Sequence, residues 1–379
     1  MSTQSPAHNL DDAVAHNHLG AMLYESGKFD VAITNFKKAL AISPGFAEAY
    51  SNLGNSLLKL GMPQEAENNY RKALDLKPNL ASAHSNLGSA FYSLGRPKDA
   101  VASFEKALAL EPTFAQAHFN LHSLLLDYKD QASAIKCMER AVDIDPSNTN
   151  YRFVLGMLLD YSGDTQKAKP HFGIVENGEG FDRAKLDAWS YIKSAGDKLP
   201  LIIGSNIQAF KLGIDAAMND GLVLEFGVWF GTSIRQIAAL VKQGVHGFDS
   251  FEGLPEEWDG NPQGSFSTKG VIPSVPDNVT LHNGWFEETL PEFVKKYSNP
   301  VRFMNIDCDI YSSTKTVLEL FAEQIVPGTV IVFDEYIGNE HWREDEFKAF
   351  QEAVLKHGWE YEYLCFSFMT GQVVVRIKS

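Results

Sequence analysis

Five columns of residues recur every 34 positions through the first half of this 379-residue chain. Leu19, Leu53, Leu87, Leu121 and Leu155 form one column, and Gly20, Gly54, Gly88, His122 and Gly156 follow them at the next position. Ala32, Ala66, Ala100, Ala134 and Ala168 keep the same register. So do Ala39, Ala73, Ala107 and Ala141, and so do Pro44, Pro78, Pro112 and Pro146. A period of this length marks a pair of helices that cannot bury its apolar faces alone, so the pairs must stack into a right-handed solenoid. The small residues at Gly54 and Ala66 let the two helices of a pair approach closely. Phe36, Tyr70, Phe104, Met138 and Phe172 are expected to fill the layer between repeats. Gly27, Gly61, Gly95 and Gly163 mark turns where a positive φ is cheap. The prolines close each second helix and open the next repeat.

The pattern resembles the tetratricopeptide repeat (TPR) and covers residues 15–172. The resemblance implies four full repeats and a capping repeat, Tyr151 to Phe172, which has lost the terminal Ala–Leu and Pro signals. Asn52, Asn86 and Asn120 precede the column leucines on the first helix of their repeats, with His18 at that place in the first. This column resembles the asparagine ladder with which O-linked N-acetylglucosamine transferase grips peptide backbone, and it implies a protein partner in the groove. An amide suits that task because it both donates and accepts. Asparagine is also common on such helices because it tolerates solvent.

A stretch rich in glycine and charge, Gly173 to Asp182, marks the domain boundary. The expected organisation is a flexible N-terminus over 1–14, the repeats over 15–172, a linker and connecting helix over 173–200, and a second domain over 201–379. In the second domain short apolar runs alternate with helical patterns: Leu222–Phe226, Val245–Phe248, Val279–Leu281, Val301–Ile306 and Thr329–Phe333, then Glu360–Phe366 and Gln372–Ile377. Such alternation argues a parallel, doubly wound sheet. The last two runs flank Met369–Thr370–Gly371, which predicts a hairpin and one antiparallel edge strand. The fold class is therefore α + α/β: an all-α solenoid followed by a Rossmann-like, doubly wound, seven-stranded sheet.

Composition narrows the function. Residues 181–379 carry 17 basic and 28 acidic side chains, a net charge of −11 in that half alone. Such a surface repels phosphate backbones, so nucleic acid is not an expected partner. No run approaches the roughly 20 apolar residues of a membrane span, and Met1 to Asp12 has no apolar signal core. Cys137, Cys308 and Cys365 form neither a disulfide framework nor a zinc motif, which favours a reducing, cytoplasmic setting.

The chemistry concentrates at strand ends. Leu222-Val-Leu-Glu-Phe-Gly-Val-Trp-Phe-Gly-Thr-Ser233 is a buried strand turning into a helix through Gly227 and Gly231. Glycines there let backbone approach a ligand at the carboxyl end of a strand. Their G-x-x-x-G spacing disfavours NAD, whose pyrophosphate site wants G-x-G-x-x-G. Asp249 ends the next strand, where an acid can accept both hydroxyls of an adenosine ribose. In order, at consecutive strand ends, these residues point to a nucleoside-type cofactor. Taken singly, they would serve equally as a tight turn and a helix cap.

Four longer strings follow in order: Gly247-Phe-Asp-Ser-Phe-Glu-Gly-Leu-Pro255, Asn283-Gly-Trp-Phe-Glu-Glu-Thr-Leu-Pro291, Asn305-Ile-Asp-Cys-Asp-Ile-Tyr-Ser-Ser-Thr314 and Val326-Pro-Gly-Thr-Val-Ile-Val-Phe-Asp-Glu-Tyr336. Over Leu201 to Ile377 the set resembles the macrocin O-methyltransferase family, whose members methylate macrolide sugars. The resemblance implies S-adenosylmethionine as cofactor, with Glu225, Gly227 and Gly231 at its methionine end. It implies Asp249 at the ribose, Ser250 beside the adenine, and Gly284 and Trp285 packing the adenine from the third strand. It also implies Mg²⁺ held by Asp307, Asp334 and Glu335. Independently, three carboxylates at adjacent strand ends are unfavourable without a cation, and a hard ion is a natural occupant. Glu335 stands where the family has aspartate, one methylene shorter, which bears on whether the ion is held.

Asp307 and Asp309 are the expected catalytic residues, Asp309 as general base or fourth oxygen ligand. Glu252 to Asp277 reads as a mobile cover, with Trp258 and Phe266 in it. His341 is a weaker candidate base, and Trp342 a residue that could stack on a sugar face. The expected protein is an O-methyltransferase of a sugar, small-molecule or glycan hydroxyl, with a TPR arm for a protein partner; a homo-oligomer stays open. The alternative is a TPR scaffold whose methyltransferase fold no longer turns over.

Overall fold

In the computed structural model the described residues are 6–178, 180–196, 198–218 and 220–379, with side chains from Leu10 onward. Residues 1–5 of the expected flexible N-terminus lie outside them, and the first helix begins at Pro6. The chain divides into two compact units, the first reaching Leu121 and the second running from His122 to Ser379.

The first unit is built of helix pairs: α1 (Pro6–Glu25) with α2 (Phe29–Ile42), α3 (Ala47–Lys59) with α4 (Pro63–Leu76), and α5 (Ala81–Ser93) with α6 (Pro97–Leu110); α7 (Ala115–Tyr128) spans the division. Each column glycine faces the aromatic ring of its own repeat. A Cβ on Gly54 would fall 2.6 Å from Tyr70, and one on Gly88 2.9 Å from Phe104. The rings therefore close each pair internally, rather than only filling the layer between pairs. Helices α2, α4 and α6 end two residues before Pro44, Pro78 and Pro112, as the column predicts.

The second unit carries α8 (Gln131–Ile144), α9 (Thr149–Tyr161), α10 (Thr165–Val175) and α11 (Phe181–Ser194) together with the sheet. The period places a boundary at residue 172, whereas the compact unit begins fifty residues earlier, at His122. The reason is side-chain packing. Phe153 of α9 meets Phe368 edge-on at 5.0 Å, and Trp189 of α11 lies 5.8 Å from Phe366. Asp127 of α7 accepts from Gly204 N at 2.7 Å and from the Ser205 hydroxyl.

The sheet comprises β1 (Leu201–Ile202), β2 (Leu222–Phe226), β3 (Val245–Asp249), β4 (Val279–Asn283), β5 (Val301–Ile306), β6 (Val330–Phe333), β7 (Tyr361–Phe366) and β8 (Val373–Ile377). Their order is β1-β7-β8-β6-β5-β2-β3-β4. All seven expected strands are present, and β1 adds an eighth of two residues, pairing with β7. The antiparallel strand is not at the edge, as expected, but inside: β8 runs antiparallel to both β6 and β7. The hairpin brings β8 back between its own partner and the parallel strands, and β8 is apolar enough to be buried there. Helices α12 (Asn206–Ala216), α13 (Thr232–Leu240), α14 (Phe286–Lys296), α15 (Tyr311–Leu320) and α16 (Glu346–His357) cover the sheet. Phe210 and Ile214 of α12 pack with Val223, Phe303 and Val330 in the core. From β2 the chain winds outward to β3 and β4, then returns to β5 and β6 on the other side. The switch point, where an open sheet leaves a crevice, is thus between β2 and β5.

Candidate active site at the switch point

Strand register sets the first two residues. Glu225 on β2 lies beside Asn305 on β5, and both are fully buried. Asn305 Nδ2 donates to Glu225 Oε1 at 3.1 Å. Glu225 Oε2 and Asn305 Oδ1 have no hydrogen-bond partner among the described residues. Burial raises the Glu225 carboxyl well above its ordinary range; the bond from Asn305 lowers it, and the charges of Asp334 and Asp249 raise it further.

Beyond Glu225 the chain turns through Gly227, at φ 88°. A Cβ there would fall 1.6 Å from the Asp307 carbonyl oxygen, so only glycine lets the β2 and β5 ends lie this close. Gly231 starts α13. Asp249 is not a free acid. Its Oδ2 accepts from Val228 N and Trp229 N, each at 2.7 Å, and its Oδ1 from Phe251 N at 2.6 Å. It ties the glycine loop to the start of the next loop, at the position expected to meet the ribose. Ser250 Oγ accepts from Glu252 N at 3.1 Å. Gly284 N donates to Asp249 O at 3.0 Å, and Trp285 precedes α14. The residues expected around the cofactor therefore gather at the ends of β2, β3 and β4.

On the other side, Asp307 and Asp309 follow β5, and Asp334 and Glu335 follow β6. Asp307 N donates to Phe226 O and Asp334 N to Ile306 O, which extends the ladder past the strand ends. Burial pushes all four acids upward, and repulsion from neighbouring carboxylates adds to it at Asp307, Asp309 and Glu335. Asp309 rises to about 7 and Glu335 to about 9, in each case mainly by desolvation and then by Asp334. Asp307 is raised well above its usual range, by desolvation first and then by Asp334 and Asp309. Among the described residues none of the four pairs with lysine or arginine.

The expected Mg²⁺ ligands do not fit an ion as they are placed. Among the described residues no three histidine, cysteine or acidic side chains are arranged to hold a metal. Asp334 Oδ1 accepts from Gln372 Nε2, and the Glu335 backbone N–H, not its carboxylate, donates to Glu346 Oε2 at 3.0 Å. The unpartnered polar atoms around the end of β2 pass the corresponding test. An unpartnered, buried carboxylate oxygen, an amide oxygen and the Trp229 indole N–H are complementary to an amino-acid group.

Sequence reasoning missed Asn305, Glu346 and Gln372. Glu346 sits in the charged run Trp342-Arg-Glu-Asp-Glu-Phe-Lys348, yet it is fully buried with Oε1 unpartnered among the described residues. His341 is exposed. Trp342 is 1% exposed and packs against Tyr191 and Phe347, so it is not available to stack on a sugar. Its place beside a helix start, amid other aromatics, made it core.

The loop expected as a cover lies against this site. Trp258 Nε1 donates to Asp345 Oδ2 at 3.0 Å, and the Ser312 hydroxyl donates to Glu256 at 2.7 Å. In the first unit, two members of the asparagine column bond to the preceding repeat and the third bonds within its own helix. Asn52 Nδ2 donates to Asn17 Oδ1 at 3.1 Å, Asn86 Nδ2 reaches Ser51 Oγ at 3.5 Å, and Asn120 accepts from Gln116 at 2.8 Å.

A family model described as a methyltransferase domain matches residues 224–336. Three models of TPR repeats match 20–61, 45–111 and 85–149. A curated relative, the 8-demethyl-8-(2,3-dimethoxy-alpha-L-rhamnosyl)-tetracenomycin-C 4'-O-methyltransferase of Streptomyces olivaceus, is 26% identical over 156 residues. The match covers 32% of this chain and 57% of the relative, so the chain spans about half the length of the curated relative it matches. Among solved structures, PilF of Pseudomonas aeruginosa is 22% identical with a TM-score of 0.43, covering 50% of this chain and 90% of that one. MamA from Desulfovibrio magneticus RS-1 is 22% identical with a TM-score of 0.37, covering 50% and 98%. No described helix is long and apolar enough to cross a membrane.

Proposed function

We propose that this chain, which joins N-terminal TPR repeats to a methyltransferase domain, is an S-adenosylmethionine-dependent O-methyltransferase of a sugar or glycan hydroxyl. The observation that carries the reading is Glu225 Oε2, buried and unpartnered at the switch point beside a glycine loop that Asp249 holds in place. The curated relative's name, a sugar O-methyltransferase, supports the acceptor class.

The cofactor supplies an electrophilic methyl group on a sulfonium. The protein's task is to present an acceptor hydroxyl in line with that methyl and to receive its proton. Glu225 answers the ammonium of the cofactor's amino-acid end. Asp249 fixes the loop that shapes the crevice and keeps lone pairs for a ribose. Asp309, whose carboxyl rises to about 7, is suited to take a proton near neutral pH. Asp307 beside it holds the hydroxyl. As placed, Asp334 and Glu335 give a metal no ligand set, and no step is routed through one. The repeats serve as the arm for a protein partner, with the column Asn52, Asn86 and Asn120 as its contact residues.

Calorimetry of the full chain with S-adenosylhomocysteine tests the reading. One-to-one binding is expected. No binding by folded protein would leave the TPR scaffold with an inactive methyltransferase fold.

A further inference from the structure

The loop that covers the site and the glycine loop meet at one residue that neither motif singled out. Trp229 has φ 48°, a left-handed conformation that side chains rarely adopt. It is held there by its own N–H, which Asp249 Oδ2 accepts at 2.7 Å. A tryptophan kept in such a backbone is there for its ring. The ring packs against Phe230 at 4.9 Å and, edge-on, against Phe266 of the cover at 6.0 Å. Its indole Nε1 is buried with no hydrogen-bond partner among the described residues.

The cover is fastened to the same joint at its base. Phe251, also left-handed at φ 58°, donates its N–H to Asp249 Oδ1. Its carbonyl accepts from Gly270 N at 3.1 Å, the Ser267 hydroxyl at 3.2 Å and the Thr268 hydroxyl at 3.3 Å. Arg235 of α13 bonds the Phe230 carbonyl at 2.9 Å and the Ser274 carbonyl at 3.0 Å, joining the far end of the cover to the glycine loop.

We propose that Trp229 is a cofactor-binding and positioning residue: its indole N–H donates to the carboxylate of the methionine end of S-adenosylmethionine, and its ring is the seat on which Phe266 settles the cover. The inference rests on the methyltransferase reading above. The chemistry is paired. Trp229 lies between Gly227 and Gly231, in the turn that follows Glu225. An amino-acid group placed there brings an ammonium for the unpartnered Glu225 oxygen and a carboxylate for the unpartnered indole donor.

The test compares two nucleosides on the full chain by calorimetry. S-adenosylhomocysteine has the amino-acid end, and 5′-methylthioadenosine lacks it. Trp229→Phe keeps a ring and loses the N–H. It should weaken S-adenosylhomocysteine about tenfold and leave 5′-methylthioadenosine unchanged. Trp229→His, which keeps a ring N–H, should recover part of the loss. S-adenosylhomocysteine should also slow tryptic cleavage after Lys269 in the wild type, and less so in Trp229→Phe. Equal affinity of wild type and Trp229→Phe for S-adenosylhomocysteine overturns the proposal, and so does an equal loss for both nucleosides. Wild-type protein that binds neither nucleoside defeats the methyltransferase reading itself, a distinguishable result.

Discussion

Glu225 shows how a strand places a charge where solvent would not allow it. Its carboxyl is fully buried, and one oxygen is answered by Asn305 alone. An unpartnered buried oxygen is costly unless a ligand completes it. A charge-assisted bond to an ammonium contributes roughly 1.5–3 kcal/mol, so Glu225→Gln should weaken S-adenosylhomocysteine by about one to two orders of magnitude in calorimetry. Asp249→Ala removes three backbone acceptor contacts at once, to Val228, Trp229 and Phe251. It should lower affinity at least about tenfold and speed hydrogen exchange at those three amides. Unchanged exchange would mean that the loop holds itself. The positions of Glu225, Gly227 and Asp249 at strand ends were legible because strand ends and glycine spacing are local patterns. Asn305, Glu346 and Gln372 were not, because their roles come from neighbours supplied by other strands. A glutamine near the chain's end carries no local sign that it will meet Asp334.

At the scale of elements, the repeats and strands were readable from periodicity, and the joint between them was not. Repeats report their own packing in phase, but a contact made once has no period. The joint of α7 with the turn before α12 is such a contact. A Cβ on Gly204 would lie 1.8 Å from the Ser123 carbonyl oxygen. Gly204→Ala should therefore destabilise the protein by about 1–3 kcal/mol or more, read as a lowered Tm. Asp127 caps the same turn, and desolvation raises its carboxyl to about 6, against the opposing bonds from Gly204 and Ser205. Since its folded pKa lies above the unfolded value near 4, the folded state holds the proton more tightly. The stabilisation is fully present below about pH 4 and is lost as pH rises through about 6. Chemical denaturation of wild type and Asp127→Asn should show their difference in stability moving against the wild type by about 2–3 kcal/mol between pH 4 and 7. A difference that stays flat over that window would show that Asp127 is solvated.

At the scale of the whole molecule, the question is where an independently folding enzyme begins. The 34-residue period suggests a cut near residue 172, leaving a fragment from Phe181 onward. Side-chain packing argues otherwise, because the sheet's β7–β8 end is roofed by the last repeats. Phe153 covers Phe368, and the Tyr161 hydroxyl donates to Pro200 O at 3.2 Å while accepting from Ile202 N at 3.3 Å. Asp160 accepts from the Trp189 indole at 3.0 Å and from Lys193 at 2.8 Å. A fragment of residues 181–379 would expose Phe366, Phe368 and Trp189, all buried in the full chain. Each buried side chain of this size contributes about 1.5–3 kcal/mol, and a domain's net stability is only about 5–15 kcal/mol. Losing three such burials, with the Asp127 cap, approaches the whole of that margin. We therefore expect residues 181–379 to aggregate or to melt well below the full chain. A fragment of residues 115–379, which keeps α7 through α11, should stay monodisperse in size exclusion and bind S-adenosylhomocysteine with full-length affinity. The two fragments decide between readings of the molecule. If 181–379 folds and binds as well as 115–379, the last repeats are an appendage, and the repeat period, not the packing, marks the true boundary. If only 115–379 does, the final helix pairs belong to the catalytic unit, and the docking arm proper ends near Leu121.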